Sequence, residues 1–96
     1  MKCKQADALM DVICWDEYRP FPGCRITLID RCGKELCCAL TNCRGRARLP
    51  VYDPGEYQLR VESSPCHSPK AQNRWFHISC PERLCFSFIF HRTLCY

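Results

Sequence analysis

The chain has 96 residues, of which 11 are cysteine, and cysteine usage this high is typical of a small domain stabilised by disulfides. With 47% hydrophobic and 25% charged residues, it is too apolar for a disordered chain. A net charge of +4 is too small to indicate a nucleic-acid or membrane partner, and an odd number of cysteines cannot all pair within one chain.

The sequence predicts an all-β domain, because short apolar or alternating runs lie between turn residues at regular spacing and no helical periodicity is sustained. Seven strands are expected, at residues 9–15, 24–29, 36–41, 46–51, 57–61, 75–80 and 85–91. Turn residues cluster at 17–23, 30–35, 42–45 and 53–55, and the longest loop is expected at 62–73. Seven short strands favour a β-sandwich, with a small closed barrel as the competing architecture.

The sandwich domain is expected to cover residues 9–91, between an N-terminal extension (1–8) and a C-terminal tail (92–96). No signal peptide is recognisable, because Asp7 and Asp11 interrupt the apolar stretch that one would need, and no apolar run is long enough to span a bilayer. The cysteine content nevertheless indicates an oxidising location, so we expect the protein to be extracellular or on a cell or spore surface.

Three segments resemble the prealbumin-like domains, which include the carboxypeptidase regulatory-like domains and the B-type repeats of collagen adhesins. The segment Arg19–Leu28 is similar to their "x-Pro-hydrophobic-Pro-Gly-Ala-x-Val-x-Leu" motif. The segments Thr41–Leu49 and Asp53–Val61 are similar to their "Thr-Asp-x-x-Gly" turn and their "Pro-Gly-x-Tyr-x-Leu-x-Val" strand. The resemblance implies a seven-stranded, immunoglobulin-like (prealbumin-like) β-sandwich, here disulfide-rich, and says little about function.

Cysteine spacing predicts disulfides within the chain. Three pairs have four residues between partners, as expected across the ends of a hairpin loop: Cys32 with Cys37, Cys38 with Cys43, and Cys80 with Cys85. Cys24 lies on the inward face of its strand, and Cys14 is a candidate partner, although spacing alone does not fix the connectivity. Metal binding is not expected, because the adjacent Cys66 and His67 are too few ligands for a zinc site.

Other cysteines are candidates for bonds between chains. Cys3 and Cys95 lie at the two extremities. They bond either within the chain, with each other or with nearby core-strand cysteines, or to neighbouring subunits. Cys66 in the long loop is a third candidate for a bond between chains. If such a bond joins different patches on two copies and does not close into a ring, it produces a filament.

The sequence offers no catalytic residues and no cofactor site. His67, His77 and His91 lack an acid and a nucleophile in a recognisable arrangement and are interpreted as structural. With only 4 glycines, a phosphate-binding loop is not expected, and no small-molecule ligand is indicated. Arg44, Arg46 and Arg48 alternate along one strand, with Arg60 as a candidate neighbour, and are interpreted as a solvated face.

The last two strands are predicted to form a hairpin with apolar side chains on both faces. One face would carry Trp75, His77, Ser79, Phe86, Phe88 and Phe90, and the other Phe76, Ile78, Ser87 and Ile89. Either long loops or the N-terminal tail cover the second face, or it contacts another subunit, with Trp75, Phe76, Ile78 and Ile89 as interface candidates.

Two function classes follow. The first is a non-enzymatic structural protein that assembles with copies of itself into a disulfide-linked fibre, coat or surface appendage, for example on a spore. The alternative is a monomeric extracellular binding or adhesion module with disulfides within the chain, whose loops would carry the site.

Overall fold

The computed structural model describes residues 8–79 and 82–93, with the backbone alone at Ala8 and Glu82. Every regular element within these residues is a β-strand. The strands are β1 (Ala8–Asp16), β2 (Arg19–Pro20), β3 (Arg25–Asp30), β4 (Glu35–Leu40), β5 (Arg46–Val51), β6 (Gly55–Glu62), β7 (His67–Ser68), β8 (Ala71–Ile78) and β9 (Glu82–Arg92).

The strands form two sheets. In sheet 1, β1 is central: it pairs antiparallel with β5 and β2 on one side and in parallel with β9 on the other, and β7 pairs with the end of β9. Sheet 2 has the order β4-β3-β6-β8, with all neighbours antiparallel. The first and last long strands therefore lie side by side, although they are most distant in sequence.

The core lies between the two sheets and is built from alternate residues of the strands. In β6, Tyr57, Leu59 and Val61 point inward, as the alternation predicts. The largest fully buried side chains are Phe88, Phe90, Met10, Ile26, Leu28, Leu49, Leu59, Ile78, Val12, Val51, Val61 and Thr27. Burial of an apolar side chain of this size contributes about 1.5–3 kcal/mol, so this layer is the main driving force for folding.

Strand β3 is buried on both of its faces. Thr27 and Ile29 lie on the outer face of sheet 2, yet both are buried. Arg60 of β6 is opposite Thr27, and Glu35 of β4 is opposite Ile29. Arg60 Nη2 donates to Glu35 Oε1 at 2.6 Å, so this ion pair crosses β3 and covers it.

The structure contains the seven predicted strands, within a few residues of the expected bounds, and two more. The additional strands β2 and β7 have two residues each and fall in the segments predicted as turn 17–23 and loop 62–73. Strands of two residues carry no alternation, so the sequence pattern cannot indicate them.

The predicted hairpin of the last two strands is wrong. Strand β8 is the edge of sheet 2, whereas β9 belongs to sheet 1. Phe76 and Ile78 of β8 point into the core from one sheet, and Phe88 and Phe90 of β9 point into it from the other. Each strand therefore has only one inward apolar face, and the doubly apolar hairpin arose from assigning both strands to one sheet.

Candidate functional site

Exposed free thiols lie on both sheets. Cys38 is on the outer face of β4, at the edge of sheet 2, and Cys85 is on the outer face of β9 in sheet 1. Cys32 and Cys43 are exposed in the turns before and after β4. A single molecule thus presents thiols to solvent on more than one face.

The predicted disulfides Cys32–Cys37 and Cys38–Cys43 are not formed, because all four residues are free thiols. Cys37 is opposite Leu28 of β3 and packs against the core, whereas Cys32 lies in an exposed turn. Cys43 lies in a connection from sheet 2 to sheet 1, so its flanking strands β4 and β5 are not hairpin partners. Equal spacing in sequence therefore does not place these side chains face to face.

The other predicted cross-links have different outcomes. Cys85 is a free thiol, so the bond Cys80–Cys85 is not formed, for the same reason that β8 and β9 are not a hairpin. Cys66 is already disulfide-bonded, and none of the other described cysteines is its partner, since each of them is free. Cys66 thus has no free thiol for a neighbouring subunit. Cys3, Cys80 and Cys95 lie outside the described residues.

The four predicted interface residues do not form one patch. Ile78 is fully buried and Phe76 packs against the core, so neither is available to a second molecule. Trp75 is 61% exposed on the outer face of sheet 2, and Ile89 is 53% exposed on the outer face of sheet 1. The two exposed members therefore face in opposite directions.

Strand β4 presents an exposed apolar side chain and a thiol on the outer face at the edge of sheet 2. Leu40 is 66% exposed and lies two residues after the exposed thiol of Cys38. Leu36 is 45% exposed but lies at a bulge and lines a cavity with Leu28 and Val51. Among the described residues, β4 pairs only with β3. A bulge interrupts this pairing at Leu36, whereas residues 37–40 pair with β3 in regular register and leave a regular outer edge.

A basic groove of about 520 Å³ lies on the outer face of sheet 1. Asp11 on β1 accepts from Arg48 Nε at 2.7 Å and from Arg83 Nε at 2.9 Å, so it links β5 to β9 across β1. The hydrogen bond from Arg48 is the main reason that the pKa of Asp11 lies below its usual value, and partial burial opposes the shift. Arg46 and Cys85 also line this groove.

Arg46 and Arg48 thus lie on an outer face, as interpreted from the sequence, and Arg48 has a specific partner. Arg44 is not on this strand, because it lies in the turn before β5. The expected neighbour Arg60 is not there, because it lies on β6 in the other sheet.

The side chain of Asp16 connects the loop after β6 to sheet 1 through two polar contacts. Asp16 Oδ1 lies 3.1 Å from His67 Nε2, and Asp16 Oδ2 accepts from Arg92 Nη2 at 2.9 Å. His67 Nδ1 is hydrogen-bonded to the hydroxyl of Ser64, and the His67 ring lies 4.3 Å from that of Phe21. Burial opposes ionisation of Asp16, but the bonds to Arg92 and His67 outweigh it and lower the pKa of this carboxyl.

The series Ser64–His67–Asp16 has the residue types of a hydrolase triad. Here Ser64 and His67 belong to one turn, in which His67 N–H donates to the Ser64 carbonyl at 3.1 Å, and the His67 ring is buried. The contacts of His67 with Ser64 and Asp16 connect this turn to the end of β1.

Two thiols meet in the core. Cys14 on β1 and Cys24, directly before β3, are both fully buried and their side chains are hydrogen-bonded to each other. The structure thus brings together the two cysteines that the sequence named as candidate partners, as free thiols.

Sequence reasoning missed the partners of Asp11 and Asp16. A signal was present, since both acids interrupt an otherwise apolar strand, but their partners come from strands far along the chain. Thr41 was also missed: its hydroxyl donates to the Phe21 carbonyl at 2.6 Å and accepts from Cys24 N–H at 2.9 Å.

No family model and no curated protein sequence matches the chain. Within residues 8–79 and 82–93, no cluster of three or more potential metal ligands occurs. The same residues include no helix that could cross a membrane.

Solved structures of other proteins share the architecture. The Bacillus anthracis TIE protein is similar over 88% of this chain and 17% of its own, with a TM-score of 0.77 and 14% identity. Klebsiella pneumoniae 5-hydroxyisourate hydrolase is similar over 98% of this chain and 94% of its own, with a TM-score of 0.72 and 17% identity. GBS52, the minor pilin of Streptococcus agalactiae, is similar over 99% of this chain and 48% of its own, with a TM-score of 0.72 and 13% identity.

The chain thus spans a small part of the TIE protein and about half of the pilin, and identities this low establish the fold alone. These neighbours have prealbumin-like folds, which confirms the resemblance seen in the sequence: the described chain is a prealbumin-like β-sandwich.

Proposed function

We propose that this protein is a non-enzymatic structural subunit, located on a cell or spore surface, that assembles with copies of itself into a disulfide-linked fibre, coat or appendage. The observation that carries the proposal is the placement of free thiols on the outer faces of both sheets. The similarity of the fold to a minor pilin supports it at the level of architecture.

The number of exposed thiols decides what such a subunit can build. A molecule with one reactive thiol stops at a dimer, whereas thiols on two faces allow each copy to bond to two others. Cys38 and Cys85 lie on the outer faces of opposite sheets, and Cys32 and Cys43 lie at opposite ends of β4. This placement supports growth into an extended assembly rather than closure at two copies.

Strand β4 is the contact we favour for the first docking step. Its outer face combines the exposed apolar side chain of Leu40 with the thiol of Cys38, and its outer edge pairs with no described strand. If two copies pair antiparallel about Cys38, the two thiols are opposite each other at a distance near that of a disulfide. Apolar burial brings the copies together, and the disulfide then makes the contact permanent.

Gel electrophoresis of the oxidised full-length chain tests the proposal. We expect a ladder at multiples of 11.3 kDa that collapses on reduction. A variant with Cys32, Cys38, Cys43 and Cys85 replaced by serine retains the buried thiols and should give shorter ladders or none. Its matched control replaces Cys3 and Cys95 by serine, because those residues are the other candidates for bonds between chains.

Circular dichroism and thermal melting under reducing conditions serve as the folding control for both variants. If the ladder persists in the fourfold variant and disappears in the control, the bonds form through Cys3 and Cys95 instead. A single band for the wild type with and without reductant would overturn the proposed function.

The second candidate function is a monomeric extracellular binding module, and the basic groove on sheet 1 favours it. Arg46, Arg48 and Arg83 surround one carboxylate, Asp11, so the groove suits an acidic ligand. Calorimetric titration with a hexaglutamate peptide tests this candidate. Binding should weaken in Arg46→Ala and persist in Arg25→Ala, which alters an exposed arginine on the other sheet.

A further inference from the structure

The two thiols that meet in the core belong to different sheets. Cys14 is on β1 of sheet 1, and Cys24 leads into β3 of sheet 2. Both side chains are fully buried in the same apolar cluster and hydrogen-bond to each other. A covalent bond at this point would connect the two sheets through the centre of the sandwich.

Backbone hydrogen bonds hold both cysteines in place. Phe21 N–H donates to the Cys14 carbonyl at 2.9 Å, and the Phe21 carbonyl accepts from the Thr41 hydroxyl at 2.6 Å. The same hydroxyl accepts from Cys24 N–H at 2.9 Å, and Thr41 N–H donates to the Cys24 carbonyl at 3.0 Å. A continuous series of hydrogen bonds therefore runs from the backbone of one cysteine to the backbone of the other, and none of these bonds involves a sulfur atom.

Gly45 closes the other side of this site. Its carbonyl accepts from Cys14 N–H at 2.8 Å, and an added Cβ at this glycine would lie 2.5 Å from the Cys14 carbonyl oxygen. Its φ of +73° also lies in the left-handed region that favours glycine. The chain passes this tightly against Cys14 only because residue 45 has no side chain.

The hydrogen bond gives the two thiols different acidities. It lowers the pKa of Cys24 and, together with burial, raises that of Cys14. Burial and the charge of Asp16 oppose the lowering at Cys24. Cys24 is therefore the better nucleophile of the two, because the thiolate is the reactive form of a cysteine.

We infer that Cys14 and Cys24 form a disulfide between the two sheets by exchange with a low-molecular-weight disulfide. Cys24 loses its proton to water and attacks one sulfur of the small disulfide, whose S–S bond breaks and releases one thiol. Cys14 then loses its proton and attacks Cys24 Sγ, which releases the second thiol. Two cysteine thiols are oxidised by two electrons, and the small disulfide is reduced to two thiols.

The burial of both sulfurs determines when the exchange can occur. A small disulfide reaches them while this end of the sandwich is open, during folding or local opening of the β1–β2 hairpin. The new bond would close a loop around residues 15–23, which include that hairpin and Phe21. A loop of this length should raise the melting temperature by about 10 °C.

This inference is independent of the proposed function. A disulfide within one chain does not join two copies, so it adds no band to the ladder that tests assembly. Trypsin does not cleave before proline, so Arg19–Pro20 survives digestion, and Cys14 and Cys24 fall in one peptide, residues 5–25, without another cysteine. That peptide reports the core pair alone.

The experiment refolds the full-length chain in oxidised and reduced glutathione, alkylates remaining thiols in denaturant and digests the product. We expect the 5–25 peptide to be unalkylated and two hydrogen atoms lighter than the peptide with two free thiols. Cleavage of its backbone before Asp16 should give two fragments that remain joined by the disulfide. Reduction before alkylation should give the doubly alkylated peptide. Reduction should lower the melting temperature by about 10 °C more in the wild type than in Cys24→Ala, because the disulfide of Cys66 is reduced in both proteins.

A doubly alkylated 5–25 peptide from fully oxidised, folded protein would overturn the inference, as would linkage of either cysteine to a different peptide. The peptide measurement uses the wild-type chain alone, so the inference remains testable if Cys24→Ala does not fold.

Discussion

Two buried threonine hydroxyls in this domain differ in their hydrogen bonding. Thr41 Oγ1 makes two hydrogen bonds that connect Phe21 to Cys24, whereas Thr27 Oγ1 is buried without a hydrogen-bond partner among the described residues. A buried hydroxyl without a partner loses its hydration and gains nothing in exchange. The same residue type is thus stabilising at one position and costly at the other.

The first prediction compares Thr27→Val with Thr41→Val. Thr27→Val should increase the free energy of unfolding by about 1 kcal/mol, because a methyl group replaces an unsatisfied hydroxyl. Thr41→Val should decrease it by about 1–3 kcal/mol, because it leaves Cys24 N–H and the Phe21 carbonyl without a partner. Urea unfolding under reducing conditions measures both, and a loss of stability in Thr27→Val would contradict the environment described for that hydroxyl.

The second prediction concerns the stability of the fold at low pH. The pKa of Asp16 is lowered in the folded state, so its ionisation stabilises the fold above the unfolded pKa of about 3.9, and this stabilisation is lost as the pH falls through the folded value. Asp16→Asn should be less stable than the wild type near neutral pH and should lose less stability on acidification. Thermal melts between about pH 7 and about pH 2 measure this difference.

Glu56→Gln is the matched control, because Glu56 is an exposed carboxylate on the outer face of sheet 2. Its acid profile should follow that of the wild type. Equal acid profiles for Asp16→Asn and the wild type would show that the Asp16 ion pairs do not contribute to acid sensitivity.

At the scale of strands, a central strand has both of its edges paired, whereas an edge strand leaves half of its backbone amides without a strand partner. Strand β1 has neighbours on both sides, whereas β4 pairs with β3 alone among the described strands. Half of the β4 amides therefore point away from any described strand. The pairing of β4 is also interrupted by its bulge.

The third prediction follows from this difference. In the reduced protein, amide hydrogens of β1, β3 and β6 should exchange much more slowly than those of β4. In disulfide-linked assemblies, β4 should become protected, because a second copy covers its edge. Hydrogen exchange followed by NMR or mass spectrometry measures both states, and unchanged exchange of β4 on assembly would exclude this edge as the docking surface.

The positions of the strands were predictable from the sequence where neighbouring residues alone determine them. Alternation in Tyr57–Val61 and turn residues at Asp53–Gly55 place β6 without any knowledge of its neighbours. The assignment of β8 and β9 to one hairpin failed because sheet membership depends on long-range pairing, here between β9 and β1. The disulfides Cys38–Cys43 and Cys80–Cys85 failed for the same reason, because their flanking strands belong to different sheets. The strands that flank Cys32–Cys37 do pair, but Cys37 is opposite Leu28, and Cys32 lies in the turn.

The candidate site was predictable only in part, for the same reason. Burial of Cys24 followed from alternation, and Cys14 was one candidate partner among the cysteines, because spacing does not fix connectivity. The exposure of Cys38 and Cys85 was not predicted, because it depends on which edge and face each strand occupies. The partners of Asp11 come from β5 and β9, which meet β1 only in the folded sheet.

At the scale of the whole molecule, net charge controls how closely two copies approach. The chain carries a net charge of +4 at pH 7, and its isoelectric point is near 8.5. Copies therefore repel each other at neutral pH, and this repulsion decreases towards the isoelectric point and with added salt.

The fourth prediction is that disulfide-linked assembly accelerates as the pH rises from neutrality towards 8.5 and, at constant neutral pH, with added salt. Alkalinity also increases the thiolate fraction, whereas salt acts on repulsion, so the salt series isolates the charge effect. Non-reducing gels of timed samples measure the rate. A rate independent of salt would show that repulsion between copies does not limit assembly.

The parallel pairing of β1 and β9 has a mechanical consequence. Because the two strands run in the same direction, Ala8 at the start of β1 and Arg92 at the end of β9 lie at opposite ends of the pair. A tensile force that enters at Ala8 and leaves at Arg92 acts along the strands and shears all of their hydrogen bonds together. An antiparallel pair pulled from the same end would instead open one bond at a time, so this topology suits a subunit that carries load.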